Sequence, residues 1–291
     1  MSVVGIVLAG GTGSRLYPLS TPEEPKQFIS LIGGRSGCSM ALRLILRSGC
    51  DELGVITSGK ALEACQRTLE MEPANVVMRT TVLVESHPVG TYFSYVMAAH
   101  KILADSVLIV TPSDHWIANP DAMVDALRRA VRLAYTFEGI VVLGEVAVAA
   151  DPAVGYLRVT MPRDDHATGK LSAFIQRPGI EKAARLMDSG DHVLWNTGIT
   201  VARASVWRRL MSPLSPQFSA ALRDSFHSGA LLHIDTKALS QQVAPVGIDE
   251  AIIARPGAPV LVQRVQSGWH DIGTPEGLAR ARAAAGEKYG K

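Results

Sequence analysis

Three glycines and two cations lie close together near the start of the chain. Residues 8–19 read L-A-G-G-T-G-S-R-L-Y-P-L, and Lys26 follows within the run P-K-Q-F at residues 25–28. Glycines let a backbone approach a ligand closely, and the N–H groups that they expose can hold phosphate oxygens. Arg15 and Lys26 add positive charge suited to an anion larger than one phosphate group. The segment therefore predicts a phosphate-binding loop.

Two better-known glycine motifs do not fit this segment. The chain contains no P-loop of the form G-x-x-x-x-G-K-[ST], and the dinucleotide fingerprint fails because Leu16 stands where its third glycine belongs. A plain turn after the first strand would explain the glycines alone. It would not explain Arg15, Pro18 and Lys26 together, so we favour a ligand-binding loop.

Two aspartates lie where the chain could bind a divalent cation. Asp114 belongs to the run P-S-D-H at residues 112–115, just after an apolar strand pattern at Val107–Val110. The carboxyl end of a strand is where an α/β site would place a Mg²⁺ ligand, although an aspartate there can also be a cap or a turn residue. Asp271 lies in the run G-W-H-D-I-G at residues 268–273. Asp249 precedes a helical pattern that it could simply cap.

Short apolar runs alternate with helical patterns through the first half of the chain. We predict strands at Val3–Ala9, Gly54–Thr57, Val76–Met78, Val82–Val84, Val107–Val110 and Ile140–Gly144. We predict helices at Ser39–Arg47, Lys60–Met71, Thr91–Ala104 and Asp121–Ala134. This alternation is typical of βαβ units, and ligands bind such sheets beyond the carboxyl ends of the strands.

The second half of the chain is less regular. We predict strands at Pro152–Met161, Leu171–Gln176, Trp195–Val201 and Val260–Val265, and helices at Ile180–Met187, Ala204–Met211 and Pro275–Ala285. No repeat or linker divides the sequence. We therefore expect an α/β fold in a single large domain over residues 1–291, with a Rossmann-like, mostly parallel mixed sheet flanked by helices.

Composition excludes several other classes of protein. Of the 291 residues, 47% are hydrophobic and 19% are charged, which is enough apolar surface for a sizeable core. A net charge of +2 argues against a protein that coats nucleic acid, and no window approaches 18 uninterrupted apolar residues, so we expect no membrane span. Cys38, Cys50 and Cys65 are odd in number and form no C-x-x-C pair, which indicates a reduced, cytoplasmic compartment.

The glycine loop resembles the signature of the sugar-1-phosphate nucleotidyltransferases, L-A-G-G-x-G-T-R-L-x-P-L with a following P-K, and Ser14 replaces the usual threonine. The continuation P-K-Q-F resembles the mannose-1-phosphate guanylyltransferases in particular. The resemblance continues in order through P-S-D-H, V-G-Y at residues 154–156, F-I-Q-R-P at 174–178, W-N-T-G at 195–198, G-I-D-E-A at 247–251 and G-W-H-D-I-G. It implies that residues 1–145 bind the nucleotide and residues 146–291 bind the sugar phosphate.

The resemblance also implies roles for individual residues. Catalysis would depend on Arg15, Lys26 and Asp114, while Asp114 and Asp271 would hold Mg²⁺ and His115 would be structural. The nucleotide would contact Leu8, Ala9, Gly10, Gly11, Thr12, Gly13, Ser14, Arg15, Lys26, Pro88, Gly90, Thr91 and Asp114. The sugar phosphate would contact Gly155, Gln176, Arg177 and Asn196.

Two segments depart from the family pattern. Gln176 and Arg177 replace a Glu-Lys pair, so a cation is kept with a different geometry while a charged acceptor is lost. Residues 85–92 read E-S-H-P-V-G-T-Y where the guanylyltransferases usually have R-N-T-A-P-A, and only Thr91 clearly remains. These changes bear on mannose and guanine specificity, and they leave the metal and triphosphate residues in place.

The resemblance implies a Mg²⁺-dependent enzyme that transfers GMP from GTP to mannose 1-phosphate or a similar sugar 1-phosphate, releasing pyrophosphate. Another nucleoside triphosphate, or a heptose or cyclitol phosphate, stays open as substrate. A non-catalytic regulatory subunit that senses nucleotide sugars is a further alternative, against which the joint presence of Arg15, Lys26, Asp114 and Asp271 argues. We expect no nucleic-acid or membrane partner, and a homodimer is the assembly left open.

Overall fold

Strands and helices alternate through the first half of the chain, as the sequence pattern predicts. The computed structural model describes residues 2–102, 105–162, 167–189 and 192–286. The first-half elements are β1 (Val3–Ala9), β2 (Ser30–Ile32), β3 (Arg35–Ser36), α1 (Gly37–Arg47), β4 (Glu52–Ser58), α2 (Leu62–Glu70), α3 (Ala74–Val77), β5 (Thr80–Glu85), α4 (Thr91–Lys101), β6 (Val107–Pro112), β7 (His115–Ile117), α5 (Pro120–Thr136) and β8 (Ile140–Val146). Short 3-10 turns lie at Ser14–Leu16, Lys26–Phe28 and Gly59–Ala61.

The second half contains more short elements. They are β9 (Tyr156–Thr160), β10 (Thr168–Ile175), α6 (Ile180–Met187), β11 (His192–Arg203), α7 (Ala204–Leu210), α8 (Pro216–Arg223), β12 (Phe226–Ser228), β13 (Leu231–Ile234), α9 (Lys237–Gln242), β14 (Val260–Val265), β15 (Trp269–Asp271) and α10 (Pro275–Ala284). A π-helical turn covers Asp249–Ile253.

One large mixed sheet runs through the molecule in the order β12-β13-β5-β4-β1-β6-β11-β8-β14-β10-β9. Strands β13, β5, β4, β1 and β6 are parallel neighbours. Strand β11 is antiparallel to both β6 and β8, β14 is parallel to β8, and β10 and β9 are antiparallel. The predicted α/β fold with a mixed sheet flanked by helices is confirmed. The sheet is less parallel than the expected mostly parallel one, because the second-half strands β9, β10, β11 and β12 pair antiparallel with their neighbours.

Helices cover both faces of this sheet. Helices α1 and α5 pack on one face, and α4, α7 and α8 pack on the other. Helix α5 shows how local sequence produces the element: Asn119 caps it by accepting the N–H of Ala122, and Pro120 occupies its first position. Its apolar face, which includes Met123 and Leu127, is fully buried against the sheet.

One predicted strand is wrong, and one predicted helix is described only in part. Residues 76–78 belong to the short helix α3 and its end, because Pro73 begins a helical turn in which the Val76 N–H donates to the Pro73 carbonyl at 2.8 Å. Three apolar residues are too few to distinguish strand from helix. The predicted helix Thr91–Ala104 is present up to Lys101, and its last two residues, 103 and 104, lie outside the described residues.

The three cysteines are buried free thiols, and burial raises the pKa of both Cys50 and Cys65 to about 12. Within the described parts of the chain, no helix combines the length and the apolar character that a membrane crossing requires.

Candidate active site

A cleft of about 540 Å³ opens at the carboxyl ends of β5, β4, β1 and β6. The register of the strands places Glu85 of β5 beside Ser58 of β4, and Leu8 of β1 beside Pro112 of β6. Because neighbouring strands lie about 4.8 Å apart, Glu85 is roughly 10 Å from β1 on one side. Asp114 follows the strand on the other side, so the glycine loop lies between two carboxylates.

The buried side chain of Gln27 fixes the backbone of the glycine loop by hydrogen bonds. The Nε2 of Gln27 donates to the carbonyl oxygens of Ala9 and Gly11, each at 2.8 Å. Gly13 has a φ of +70°, and a Cβ there would lie 3.0 Å from the Lys26 backbone nitrogen, so the position favours glycine. A Cβ on Gly11 would meet no atom within 4 Å. This side of the loop therefore leaves room for a phosphate group.

Lys26 and Asp114 form an ion pair at the centre of the cleft. The Nζ of Lys26 lies 2.5 Å from Oδ2 of Asp114, and the lysine side chain is only 9% exposed. Burial is the largest single effect on the pKa of Asp114 and acts to raise it, but the surrounding charges and the Lys26 hydrogen bond together outweigh burial and hold that pKa below its usual value. Asp114 is thus ionised at neutral pH and can accept hydrogen bonds or hold a cation. The guanidinium of Arg15 lines the same cleft.

Asp271 approaches Asp114 through a second, two-stranded ladder. Strand β15 pairs with β7 so that Asp271 lies opposite His115, and the Ile272 N–H donates to the Asp114 carbonyl at 2.9 Å. A Cβ on Gly273 would collide with Nζ of Lys26 and would lie 2.8 Å from Oδ1 of Asp271 and 2.9 Å from Oδ2 of Asp114. The two carboxylate oxygens and the Lys26 ammonium therefore converge on one small space beside Gly273, where any side chain would displace them.

The donor set at this space fits a hard divalent cation. Mg²⁺ in phosphate-transfer sites is commonly held by one or two carboxylates together with substrate phosphate oxygens. Asp114 and Asp271 supply two such carboxylates next to the glycine loop. Within the described residues, no cluster of three or more histidine, cysteine, aspartate or glutamate side chains is arranged to hold a metal.

His115 packs behind the two aspartates. Its Nε2 lies 3.9 Å from Oδ1 of Asp114, and its ring meets the Trp269 ring edge-on at 5.1 Å. Burial lowers the pKa of His115, against the opposing effect of the charges on Asp114 and Asp271. A neutral imidazole packed on a tryptophan is consistent with the structural role that we predicted for His115.

A buried carboxylate that we did not predict lies at the other end of the cleft. Glu85 ends β5, is 3% exposed, and accepts the Ser94 hydroxyl at 2.9 Å. Burial raises the pKa of Glu85 to about 7, and hydrogen bonds from Ser94 and the Val89 backbone only partly oppose this. A glutamate that closes an apolar strand run at Val82–Val84 was the available signal in the sequence.

Residues 88–91 form the wall of the cleft near Glu85, together with residues 245–248, which cross over them. We call residues 245–248 the crossing loop. Gly90 has a φ of +92°, and a Cβ there would lie 2.6 Å from the Val246 nitrogen, so this crossing requires a glycine. The hydroxyl of Thr91 accepts the Ile248 N–H at 2.9 Å. Thr91 lines the cleft as predicted, but its hydroxyl also fastens the crossing loop, which adds Pro245 to the lining.

The predicted sugar-phosphate residues lie together across the cleft from the glycine loop. A Cβ on Gly155 would lie 3.1 Å from Oε1 of Gln176 and 3.4 Å from Cβ of Asn196, so the glycine sits directly under both side chains. The Asn196 amide donates to Oδ1 of Asp249 at 3.3 Å and accepts the Gly198 N–H at 3.0 Å. One amide hydrogen of Asn196 is therefore available to a ligand.

Arg177 has an unusual backbone conformation beside this group. Its φ of +37° is the one positive value at a non-glycine residue among the residues described, and such values are uncommon outside glycine. Arg177 is exposed, lines the cleft, and lies close enough to Asp249 that its charge acts on that carboxyl. Burial nevertheless raises the pKa of Asp249. Asp249, which we treated as a cap or a site residue, lies in the cleft.

Most predicted site residues meet in this one cleft. They are Leu8, Gly10, Gly11, Thr12, Arg15, Lys26, Pro88, Gly90, Thr91, Asp114, Gly155, Gln176, Arg177, Asn196 and Asp271. Three do not line it: Ala9 is buried in β1, Gly13 packs on Lys26, and Ser14 is exposed in the following turn. Glu85, Ser94, Gln27 and Asp249 line the cleft in addition.

Comparison with known proteins connects this cleft to a family. The model of the nucleotidyl transferase family matches residues 4–288, which include every residue of the cleft. The chain belongs to the nucleotidyl transferase family. The family resemblance read from the glycine loop is thereby confirmed.

Curated relatives of this nucleotidyl transferase share about a quarter of its residues. Mannose-1-phosphate guanylyltransferase 2 of Escherichia coli O157:H7 is 28% identical over 293 residues, covering 95% of this chain and 59% of the relative. The alginate biosynthesis protein AlgA of Pseudomonas aeruginosa is 26% identical over 280 residues, covering 94% of this chain and 57% of the relative. The chain thus spans less than two thirds of the length of these relatives.

Solved structures support the fold of the nucleotidyl transferase. A Thermus thermophilus protein described as mannose-1-phosphate geranyltransferase superposes with a TM-score of 0.78 at 22% identity, over 97% of this chain and 79% of that one. A Helicobacter pylori protein described as mannose-6-phosphate isomerase gives 0.76 at 21% identity, over 93% and 100%. At this level of identity the likeness concerns the fold alone.

Proposed function

We propose that this protein transfers GMP from GTP to a sugar 1-phosphate, with mannose 1-phosphate as the first acceptor to test. The observation that supports this most strongly is the single cleft in which a phosphate-binding loop, a pair of carboxylates and a second basic subsite meet. One substrate would lie against the strand ends of residues 1–145, and the other against residues 146–291. The carboxylates of Asp114 and Asp271 lie between these two regions, where the two substrates would be joined.

The proposed reaction needs positioning and charge rather than a covalent enzyme intermediate. An oxygen of the sugar phosphate attacks the α-phosphorus of GTP. The bond from that phosphorus to the oxygen between the α- and β-phosphates breaks, and pyrophosphate leaves. Gly11 and its neighbours would receive the triphosphate at their open backbone face. Arg15 and Lys26 would balance the negative charge that builds up on the leaving pyrophosphate. Arg177 would hold the attacking phosphate.

Asp114 and Asp271 would hold the Mg²⁺ ion, whose charge would stabilise the phosphate oxygens when it is bound. Lys26 already neutralises Asp114 in the described structure, so the pair keeps this carboxylate ionised and oriented toward the cleft before substrates bind. Because Lys26 has a flexible stem, its ammonium can move from Asp114 to a phosphate oxygen without any backbone change.

The carboxylate at the far end supports guanine as the base. The Watson–Crick edge of guanine presents two adjacent donors, N1–H and the N2 amino group, and a carboxylate has two acceptor oxygens to meet them. Glu85 is buried at the cleft end next to Pro88 and Gly90, where a base bound to this loop would reach. Uracil and thymine place carbonyl oxygens on either side of one N–H, and a carboxylate would repel those oxygens.

The acceptor is the less constrained substrate. Gln176 is neutral where the family resemblance leads us to expect glutamate, and Asn196 and Asp249 already bond to one another. A hexose, a heptose or a cyclitol phosphate would each find a basic group in Arg177 and hydroxyl partners in Gln176 and Asn196. We also infer a cytoplasmic location from the three unpaired thiols.

A pyrophosphate-release matrix tests the proposal. Purified protein with Mg²⁺ is combined with each of five nucleoside triphosphates and with a panel of sugar and cyclitol phosphates. We expect release with GTP and at least one acceptor, and none with Asp114→Ala. Release from another nucleotide only would reject guanine, and substantial turnover by Asp114→Ala would reject the assigned role of Asp114.

A further inference from the structure

A buried carboxylate on the central sheet holds the turn that leads to Asp271. Glu145, near the end of β8, is 3% exposed and has β11 and β14 on its two sides. Its Oε1 accepts the N–H of Ser267 at 2.8 Å and that of Gly268 at 2.9 Å. Its Oε2 accepts the Ser267 hydroxyl at 2.7 Å. Both oxygens of one carboxylate are thus directed at two consecutive residues.

The same turn sets the register of β15. Gly268 has a φ of +66° and its carbonyl accepts the Ala118 N–H at 3.1 Å, while the Ser267 carbonyl accepts the Asn119 N–H at 2.8 Å. Strand β15 begins at the next residue and pairs with β7, which places Asp271 opposite His115. A change in the turn would therefore shift Asp271 relative to Asp114.

We infer that Glu145 is a positioning residue that sets Asp271 against Asp114, and this rests on the proposed function of Asp271 as a metal ligand. Glu145 does not line the cleft, so its effect must pass through the turn. A carboxylate suits this place because it only accepts hydrogen bonds, and the turn offers it three donors. An apolar residue of similar size would leave the buried Ser267 N–H and the part-buried Gly268 N–H without their partner, which favours rearrangement of the turn.

Binding of Mn²⁺ to the full chain, followed by water proton relaxation, tests this inference without measuring catalysis. Removing a residue that orients a metal ligand typically weakens metal affinity about 10- to 100-fold. We expect Glu145→Leu to weaken Mn²⁺ binding about tenfold. We expect Glu145→Gln to keep most of the affinity, because its amide oxygen can still accept both N–H groups and its amide nitrogen can donate to the Ser267 hydroxyl. Glu70→Leu, at an exposed site on α2, is the control and should bind as the unaltered protein does.

A double-mutant cycle separates an effect through Asp271 from a general loss of structure. If Glu145 acts through Asp271, adding Glu145→Leu to Asp271→Asn should not weaken Mn²⁺ binding further. Additive effects would overturn the inference, and so would unchanged affinity in Glu145→Leu. If Asp271→Asn alone has no effect, the metal assignment fails together with the inference. If only Glu145→Leu has no effect, the inference alone fails.

A milder variant serves if Glu145→Leu does not fold, as judged by circular dichroism. Ser267→Ala removes only the hydroxyl bond to Oε2 and leaves both backbone bonds in place. We expect it to weaken Mn²⁺ binding about threefold, at the low end of what the loss of one hydrogen bond produces, because both backbone bonds to Glu145 remain. Affinity equal to that of the unaltered protein would overturn the inference in this variant too.

Discussion

The two ends of the cleft are built in different ways. At the end that we propose for the nucleotide, called the nucleotide end, Leu8, Glu85 and Asp114 belong to the carboxyl ends of parallel strands or follow directly after them. At the end that we propose for the sugar phosphate, called the sugar-phosphate end, Gly155 and Asn196 come from antiparallel segments, and the pairing of β11 with β8 shifts between Asn196 and Thr200. Arg177 adds a left-handed backbone conformation just after β10.

This difference indicates which of the two substrates would be positioned by the sheet topology itself. Open α/β sheets place ligands at the strand ends, so the position of a triphosphate follows from topology. The proposed position of the sugar phosphate would depend instead on a strand irregularity and two loops, which can change without disturbing the sheet. Substitutions at each end, taken from the largest expected effect to the smallest, show whether the two ends act separately.

The largest effect is expected where the two ends meet. Lys26→Met removes the cation paired with Asp114 and should lower kcat about a hundredfold, because charge stabilisation at a reacting phosphate is lost. Steady-state kinetics with both substrates measure this. Lys182→Met, exposed on α6, is the matched control and should leave kcat unchanged. A kcat for Lys26→Met close to that of the control would remove Lys26 from the mechanism.

A substitution at the sugar-phosphate end should affect one substrate only. Arg177→Ala removes the cation of that end, so we expect KM for the sugar phosphate to rise about tenfold, the value of a hydrogen bond to a charged group. KM for GTP should stay within about twofold, which corresponds to about 0.5 kcal/mol of free energy. Effects of exposed substitutions away from special contacts usually fall within that range. Arg185→Ala, exposed on α6, is the control. An equal rise in both KM values would show that the two ends are not separate.

A substitution at the nucleotide end should change pH dependence. If Glu85 contacts guanine as we propose, binding requires its ionised form, and its pKa of about 7 lies above the usual value. Affinity for guanine nucleotides should therefore increase as pH rises through that pKa, and the increase should level off above it. Glu85→Gln should lose this component and weaken GTP binding by up to about tenfold.

Isothermal titration of GTP at several pH values measures this dependence. The difference between the unaltered protein and Glu85→Gln cancels the titration of the nucleotide itself. If the two proteins show parallel pH profiles, Glu85 does not contact the base.

The smallest effect is expected from a methyl group added at Gly155, in the proposed sugar-phosphate site. Gly155→Ala would place a Cβ 3.1 Å from Oε1 of Gln176, whose side chain can move away. We expect KM for the sugar phosphate to rise about twofold and GTP binding to stay constant. A loss of activity comparable to that of Lys26→Met would mean that the acceptor lies directly on Gly155.

The sequence predicted the strands at the nucleotide end better than the contacts between residues at the sugar-phosphate end. The strand before the glycine loop and the strand before Asp114 are short apolar runs that end near a glycine or a proline, and their parallel order brought the two together as expected. The run at residues 76–78 was misread because Pro73 begins a helix there. Glu85 was missed although it closes an apolar run, because that run does not show whether the carboxylate is buried, and its burial depends on Ser94 and on the crossing loop.

At the sugar-phosphate end, the sequence indicated which residues line the cleft but not their hydrogen-bond partners or backbone conformation. Motif resemblance indicated Asn196 and Arg177, and both line the cleft. The bond from Asn196 to Asp249 and the left-handed backbone of Arg177 depend on contacts between segments far apart in the chain, which no local pattern displays.

The most direct test of the central claim is ³¹P NMR of the protein incubated with GTP, mannose 1-phosphate and Mg²⁺. We predict that the α-phosphorus of GTP and the phosphorus of the sugar phosphate convert together into one diphosphate diester, with an equal amount of pyrophosphate. If mannose 1-phosphate is not consumed, the same experiment with heptose and cyclitol phosphates should give that pattern. Hydrolysis of GTP without joining, or no conversion with any acceptor, would contradict the claim that one cleft joins the two substrates.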